Sequence, residues 1–197
     1  MSLQIFQNLS WFMEHAVVLV DEDDQPLGSA EKLRAHTEGW LHRAFSVFIF
    51  DPAGRLLLQR RTVDKYHSGG LWSNTCCSHP QPGETPLDGA HRRLTEEMGF
   101  DCPLTSAFQE TYHISVGPNM VEHEHDHVFV GTVNTPDIHP DADEVADWMW
   151  VEPFALRRDV DAHQHRYTPW FRLLLDRALS SSPVPPERDP LSSKSSS

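Results

Sequence analysis

Two adjacent thiols followed by an imidazole, Cys76-Cys77-Ser78-His79, stand just ahead of a segment with charged residues at helical spacing. A thiol two residues from an imidazole can be reactive, because nearby positive charge favours the thiolate, or it can be a small buried filler. Adjacent cysteines fit neither a CxxC redox pair nor a four-ligand zinc set. Further on, Val121-Glu122-His123-Glu124-His125-Asp126-His127-Val128 alternates strictly. In a strand, Glu122, Glu124 and Asp126 share one face and His123, His125 and His127 the other. Two carboxylates two apart on one face can bind a cation together or divide into a base and a metal ligand. The three histidines point away from them and fit an exposed polar strand. Upstream, His36 and His42 are six apart, a poor match to one helical face. A loop leading into a strand at Ala44 has to bring them together. In the charged segment, Arg93 and Glu97 are four apart and share a helix face, with Glu84, Arg92 and Glu96 around them. A carboxylate there can hold Mg²⁺ together with a phosphate; the same spacing also describes a solvated helix with an ion pair.

These residues need elements to position them. The apolar run 16–20 followed by DEDDQPLG predicts a strand and a reversal. Residues 45–50 (FSVFIF) and 55–59 (RLLLQ) flank DPAG, a hairpin signal. A helix is predicted over 86–98, ending at Gly99 as its C-cap. Strands are predicted over 108–116, 121–133 and 147–151, and a closing helix over 168–179 with Trp170, Leu173 and Leu174 on one stripe. Strands interrupted by a central and a terminal helix indicate an α+β protein built as an α/β/α sandwich. One domain is expected over 1–180, with an N-terminal extension over 1–15. Residues 181–197 are Ser- and Pro-rich and read as a disordered tail.

The chain of 197 residues carries 29 Asp and Glu against 16 Lys and Arg, a formal net charge of −13. That balance argues against a nucleic-acid partner, which needs clustered cations. It leaves room for a phosphorylated small molecule met by a few local ones. Acidic loops such as DEDD and DADE read as solvated surface. No apolar run approaches the ~20 residues of a membrane span, and no secretory signal is apparent. Three cysteines form no disulfide framework, so a reducing cytoplasm is expected. Thirteen histidines, several beside carboxylates, hint at a metal.

The order of residues from Ser78 to Phe100 resembles the Nudix box: Glu84, Arg92, Leu94, Glu96, Glu97, Gly99 and Phe100 fall in register. Ser78 stands where the box opens with Gly, and Arg93 replaces the Glu that follows Arg92. The resemblance implies a Nudix-like mixed β-sheet flanked by helices. Arg93 counts against the alternative of a pyrophosphohydrolase acting on a nucleoside or other diphosphate, because such an enzyme gathers metal ions with carboxylates on this helix.

Taken with AHT…LH, QRR…K, WSNTCCSHPQPGE, RRLTEEMG, a Tyr ahead of Glu-x-Glu and a late PW, the chain from about Val17 to Leu175 resembles the type I isopentenyl-diphosphate isomerases. The resemblance implies interconversion of isopentenyl and dimethylallyl diphosphate in isoprenoid biosynthesis. It implies Cys77 as the catalytic thiol, Glu124 as the opposing acid or base with Tyr112 beside it, and Trp170 facing a cationic intermediate. It further implies one divalent ion, Mn²⁺ or Zn²⁺, on His36, His42, His79, Glu122 and Glu124. A second ion, Mg²⁺, is implied with the substrate diphosphate on Glu97 and the Cys77 carbonyl. Arg61, Lys65 and Arg93 match the positions that contact that diphosphate. A monomer or weak dimer is expected, and a metal-storage protein built on the His-rich strand is the third alternative.

Overall fold

Six of the nine residues of one strand, Ala44, Phe45, Val47, Phe48, Ile49 and Phe50, are apolar and nearly inaccessible to solvent, which marks it as the centre of the sheet. The structure, a computed structural model, describes residues 15–134 and 137–184. Apart from residues 15 and 181–184, the expected N-terminal extension and tail lie outside the described residues. Along the chain run β1 (Ala16–Val20), β2 (Pro26–Glu31), α1 (Lys32–Glu38) and the central β3 (His42–Phe50). There follow β4 (Leu56–Arg61), β5 (Trp72–Ser73), β6 (Cys76–Ser78), α2 (Pro86–Met98), β7 (Leu104–Gly117), β8 (Met120–Thr132), β9 (Val145–Val151), α3 (Pro153–Ala162) and α4 (Pro169–Ser180).

β3 pairs in parallel with β8 over its whole length, from His42 opposite Glu124 to Phe50 opposite Thr132. β7 and β8 form a long antiparallel hairpin that sets Tyr112 opposite Glu124. On its other edge β3 meets three partners in turn. Leu19 of β1 pairs with His42, β6 pairs with residues 45–47, and Leu56 of β4 pairs with Phe50. The expected DPAG hairpin is therefore present, but its strands diverge after one pair. The gap is filled by the segment Ser73-Asn74-Thr75-Cys76, all of it inaccessible. Its polar groups replace the missing ladder. The Thr75 hydroxyl accepts from the Ile49 N–H at 3.0 Å and donates to the Leu57 carbonyl at 2.6 Å. The Asn74 amide donates to the carbonyls of Cys76 and Val47, at 2.6 and 3.3 Å.

The two faces of the sheet carry separate cores, which makes the expected sandwich. On one face Phe48, Phe50, Val128 and Val130 pack against Leu156 and Val160 of α3 and Phe171, Leu174 and Leu175 of α4. On the other, Phe45, Val47, Ile49 and Phe129 pack against Ala90, Leu94 and Met98 of α2. α2 keeps its predicted bounds: Thr85 caps it through the Asp88 N–H, and Gly99 ends it with φ +76°. Leu173 departs from the predicted stripe and is exposed, because the buried face of α4 runs along Trp170, Phe171, Leu174, Leu175 and Ala178. Val184, inside the expected tail, is half-buried against the first core. No helix among the described residues is long and apolar enough to cross a membrane.

Thr75→Val keeps the side chain's shape but leaves the buried Ile49 N–H without its acceptor. We expect a loss of about 1–3 kcal/mol in denaturant unfolding, more than for Thr95→Val, whose hydroxyl bonds only within an exposed helix turn.

Candidate active site

His36 and His42 reach the same place from two elements, not from one loop. α1 is capped at its start by the Glu31 carboxylate, which accepts from the Leu33 and Arg34 N–H groups at 2.9 Å each. It ends at Gly39 with φ +66°, and the chain enters β3 at His42 after only Trp40 and Leu41. The two rings lie 4.7 Å apart between centroids. β6 contributes His79 just beyond its end, and β8 contributes Glu122 and Glu124. One donor atom from each of these five residues lies within 4.8 Å of every other.

Two of the five donor atoms, His36 Nε2 and Glu122 Oε2, have no aligned hydrogen-bond partner among the described residues. His36 Nδ1 is 2.6 Å from the Lys32 carbonyl and His42 Nδ1 is 2.8 Å from the Trp40 carbonyl. A carbonyl only accepts, so both Nδ1 atoms carry protons, and in the neutral rings Nε2 presents a lone pair. His36 Nε2 and Glu122 Oε2 approach to 2.9 Å, yet neither has an aligned hydrogen bond. His42 Nε2 stands 3.2 Å from His79 Nε2, which is 2.9 Å from Glu124 Oε1. Burial would raise Glu122, but contacts with His36 and His67 hold it well below the usual carboxylate range. Burial likewise drives His79 well below the ordinary imidazole value, so it stays neutral and able to ligate. Three imidazoles and two carboxylates converging on one point fit a divalent ion.

Beside this cluster is a cavity of about 30 Å³, lined among others by Cys77, Glu124, Tyr112, Trp170 and Arg61. The reason is register: Cys77 pairs with Ser46 on one edge of β3, while Glu124 and Asp126 sit across the other edge on the same face. Burial pushes the Cys77 thiol up to about 12, with Arg61 opposing. The sequence allowed a thiolate; the site holds a neutral thiol. The Tyr112 hydroxyl donates to Glu124 Oε2 at 2.5 Å and lies 3.2 Å from Asp126 Oδ2, which also accepts from Ser46 Oγ at 2.8 Å. Burial and the adjacent Glu124 raise Asp126 to about 8. Trp170 belongs to the core and to the cavity wall at once. The Arg61 guanidinium lies 5.4 Å over its ring.

An adjoining cleft of about 490 Å³ contains Lys65 and Arg93. Arg61 is not in it; it lines the inner cavity, and Lys32, Ser78 and His79 line both. Arg93 pairs with Glu97 at 2.6 Å, Glu96 at 2.9 Å and Glu144 at 3.2 Å, and Glu144 also pairs with Lys65. Glu97 stands apart from the five-donor cluster, its oxygens taken by Arg93 and by the Gln59 amide at 2.9 Å. Although burial opposes it, Arg93 keeps Glu97 below its ordinary pKa. Arg92 clasps Glu84 through two 2.8 Å bonds. The carboxylates of the α2 box are thus largely engaged by guanidinium groups.

Sequence reasoning overlooked Lys32, Tyr66, His67 and Glu144. Lys32 had a signal: the chain has three lysines, and two of them, Lys32 and Lys65, line this cleft. Glu144 belongs to the DADE loop that composition assigned to the surface; Asp24 of DEDD is likewise engaged, by Arg43 at 2.7 Å. The expected exposed face of β8 is also corrected. His125 is buried, and its nitrogens meet Thr111 Oγ1 at 3.0 Å and Gln109 Oε1 at 3.4 Å. His127 meets Gln109 Nε2 at 3.1 Å and Asp24 Oδ2 at 3.0 Å. Asp24, His125 and His127 form the second group of clustered metal-type donors among the described residues. There every ring nitrogen has a protein partner and Arg43 already neutralises Asp24, so the network is closed without an ion.

A mixed sheet between helices, with a box helix beside a metal-type cluster, defines the Nudix fold, and residues 40–171 match the NUDIX domain. A crystal structure of a Deinococcus radiodurans protein shares the fold at a TM-score of 0.70 and 16% identity, covering 83% of this chain and 98% of that one. A MutT protein from Methanosarcina mazei does so at 0.57 and 20%, covering 70% and 91%. Sequence relatives are more specific. The chain is 52% identical to the isopentenyl-diphosphate Delta-isomerase 2 of Aromatoleum aromaticum, over 85% of this chain and 88% of that protein. It is 49% identical to the isopentenyl-diphosphate Delta-isomerase of Burkholderia multivorans, over 84% and 94%. The chain belongs to the isopentenyl-diphosphate Delta-isomerase family.

Metal-free protein titrated with Mn²⁺ or Zn²⁺ is expected to melt higher, because an ion at about a hundredfold over its Kd stabilises by about 2.7 kcal/mol. Glu122→Gln removes a ligand charge and should remove most of that rise.

Proposed function

We propose that the protein interconverts isopentenyl and dimethylallyl diphosphate, with Cys77 and Glu124 as the acid–base pair. The observation that carries this reading is the single small cavity in which a neutral thiol and a hydrogen-bonded carboxylate meet beside the His/Glu cluster. Moving the double bond requires a proton to be added at one end of an unactivated alkene and another to be lost two carbons along. Burial keeps the Cys77 thiol protonated, so its S–H would supply the proton added at one end of the alkene. Against burial and the adjacent Glu122, contacts with His42 and His79 hold Glu124 below its usual range, so its carboxylate would receive the proton lost two carbons along. Between the two transfers the substrate bears a tertiary cation, and the faces of Trp170 and the Glu124 carboxylate are placed to stabilise it.

The diphosphate belongs in the outer cleft, where Lys32, Lys65 and Arg93 supply positive charge, while Arg61 lines the inner cavity. Binding it there has to displace Glu144 from Lys65 and Arg93. His36, His42, His79, Glu122 and Glu124 would hold Mn²⁺ or Zn²⁺, and Glu97 with the Cys77 carbonyl would hold Mg²⁺ with the diphosphate. When bound, these ions supply positive charge that tunes the acidity of Glu124 and neutralises the phosphates. A cavity of about 30 Å³ admits little more than water, so the five-carbon tail enters only once part of the cavity wall moves outward. Arg93, standing where the Nudix box has a carboxylate, speaks against pyrophosphate hydrolysis.

Purified protein with Mg²⁺ should isomerise the five-carbon diphosphates, and Cys77→Ala and Glu124→Gln should each lower kcat by at least about 10³-fold. Full activity in Cys77→Ala, or release of inorganic phosphate without isomerisation, would contradict the proposal. The pH profile is also specified. Burial, aided by Arg61, Lys32 and Arg93 and opposed by Glu97, lowers Lys65 to about 8. Above that pH the free enzyme loses a cation that the diphosphate needs, so kcat/KM should fall. Lys65→Arg, charged throughout, should shift that fall to higher pH.

A further inference from the structure

His67 lies on the connection between β4 and β5, outside the five residues whose donor atoms converge, and the proposed acid–base and ligand roles leave it unused. It is buried, and its Nε2 is 2.8 Å from Glu122 Oε1, the oxygen that faces away from His36. The contact is a close pair like that of His36 with Glu122 Oε2; an imidazole Nε2–H can serve a carboxylate whether the ring is neutral or charged, and Ser68 Oγ, 3.3 Å from Nδ1, can serve the other nitrogen. The ring is held independently of Glu122. Its edge meets Trp170 at 5.7 Å and Tyr66 at 4.4 Å between centroids, and its carbonyl accepts from Arg61 Nη2 at 3.5 Å. The connection itself has little freedom: Gly70 N–H bonds back to the Arg61 carbonyl at 3.0 Å, and a Cβ on Gly69 would sit 2.5 Å from the Val63 carbonyl.

We infer that His67 is a positioning residue for the metal site: it fixes the Glu122 carboxylate through Oε1 and so aims Oε2 at the imidazoles of His36 and its neighbours. This rests on the five-residue cluster being the metal site of the proposed function. The reasoning is geometric. Glu122 sits near the start of β8, and its terminal torsion is soft. A ligating carboxylate gains its orientation from a hydrogen bond to its outer oxygen, and removing such a partner commonly costs 10–100-fold in metal affinity. The same contact ties the cluster to the β4–β5 connection, which also carries Lys65 and closes on Trp170.

Mn²⁺ binding to the metal-free full-length protein, followed by calorimetry at one fixed pH, tests this for wild type, His67→Phe and His67→Gln. Phe keeps the ring and removes the donor; Gln restores an N–H near the position of Nε2. The prediction is affinity 10–100-fold weaker in His67→Phe and within about threefold of wild type in His67→Gln. Melting of the metal-free forms reads folding separately, and His67→Ala takes the place of His67→Phe if the latter does not fold. Unchanged affinity in the Phe or Ala variant, or a loss in Gln as deep as in Phe, overturns the inference while leaving the metal site intact. Failure of the wild type to bind Mn²⁺ overturns the reading of the cluster itself, and this inference with it.

Discussion

The threonine hydroxyl that joins two diverging strands is the contact on which the site depends. β3 and β4 part after Phe50 and Leu56, and Thr75 takes over as both acceptor for one strand and donor for the other. A sheet that opens in its middle exposes backbone groups that have to be paired. Here they are paired by a buried Ser-Asn-Thr segment, and the strand that follows, Cys76–Ser78, is in register with β3 and leads directly to His79 beside the His/Glu cluster. On the other edge of β3 the parallel strand β8 delivers Glu122, Glu124 and Asp126. No loop has to search for the geometry, because two strand pairings to one central strand set it.

The second constraint is electrostatic. The chain is strongly acidic, with a net charge of −13, yet its site separates the two signs. Imidazoles and carboxylates crowd the inner end, where His36 Nε2 and Glu122 Oε2 lack aligned partners among the described residues, an arrangement that suits a cation. Lys32, Lys65 and Arg93 gather at the outer cleft, where an anion would be met. Glu144 pairs with Lys65 and Arg93, and Glu96 and Glu97 pair with Arg93. Arg93 would have a purpose in this scheme that it lacks in a hydrolase: it would offer charge to the substrate diphosphate, and letting go of Glu97 would free that carboxylate for Mg²⁺.

Much of this was legible in the sequence because it is local. Helix α2, its cap at Gly99 and the alternation of β8 follow from periodicity and capping rules, and Glu122, Glu124 and Asp126 share one face as their spacing implies; that this face is buried was not in the spacing. The residue set of the His/Glu cluster came from a family resemblance. What escaped was set by distant packing. α1 has seven residues, too few to show a period, so the His36–His42 spacing looked like a loop problem. His125 and His127 read as exposed because nothing in their strand announces that Asp24, about a hundred residues earlier, folds over them. Glu144 read as surface because its partners, Lys65 and Arg93, sit on other elements. His67 carried no signal at all, since a lone histidine in a Gly-containing loop is indistinguishable from any other polar residue.

The central claim is that one enclosed cavity adds a proton to an alkene and removes another without touching the diphosphate. Isomerisation in D₂O measures this most directly, with the product read by mass spectrometry and NMR. The account predicts solvent deuterium in the isomerised hydrocarbon tail, an intact diphosphate, and loss of both exchange and conversion in Cys77→Ala and Glu124→Gln. Conversion with no deuterium incorporated at early times, or cleavage of the diphosphate in place of exchange, would contradict it.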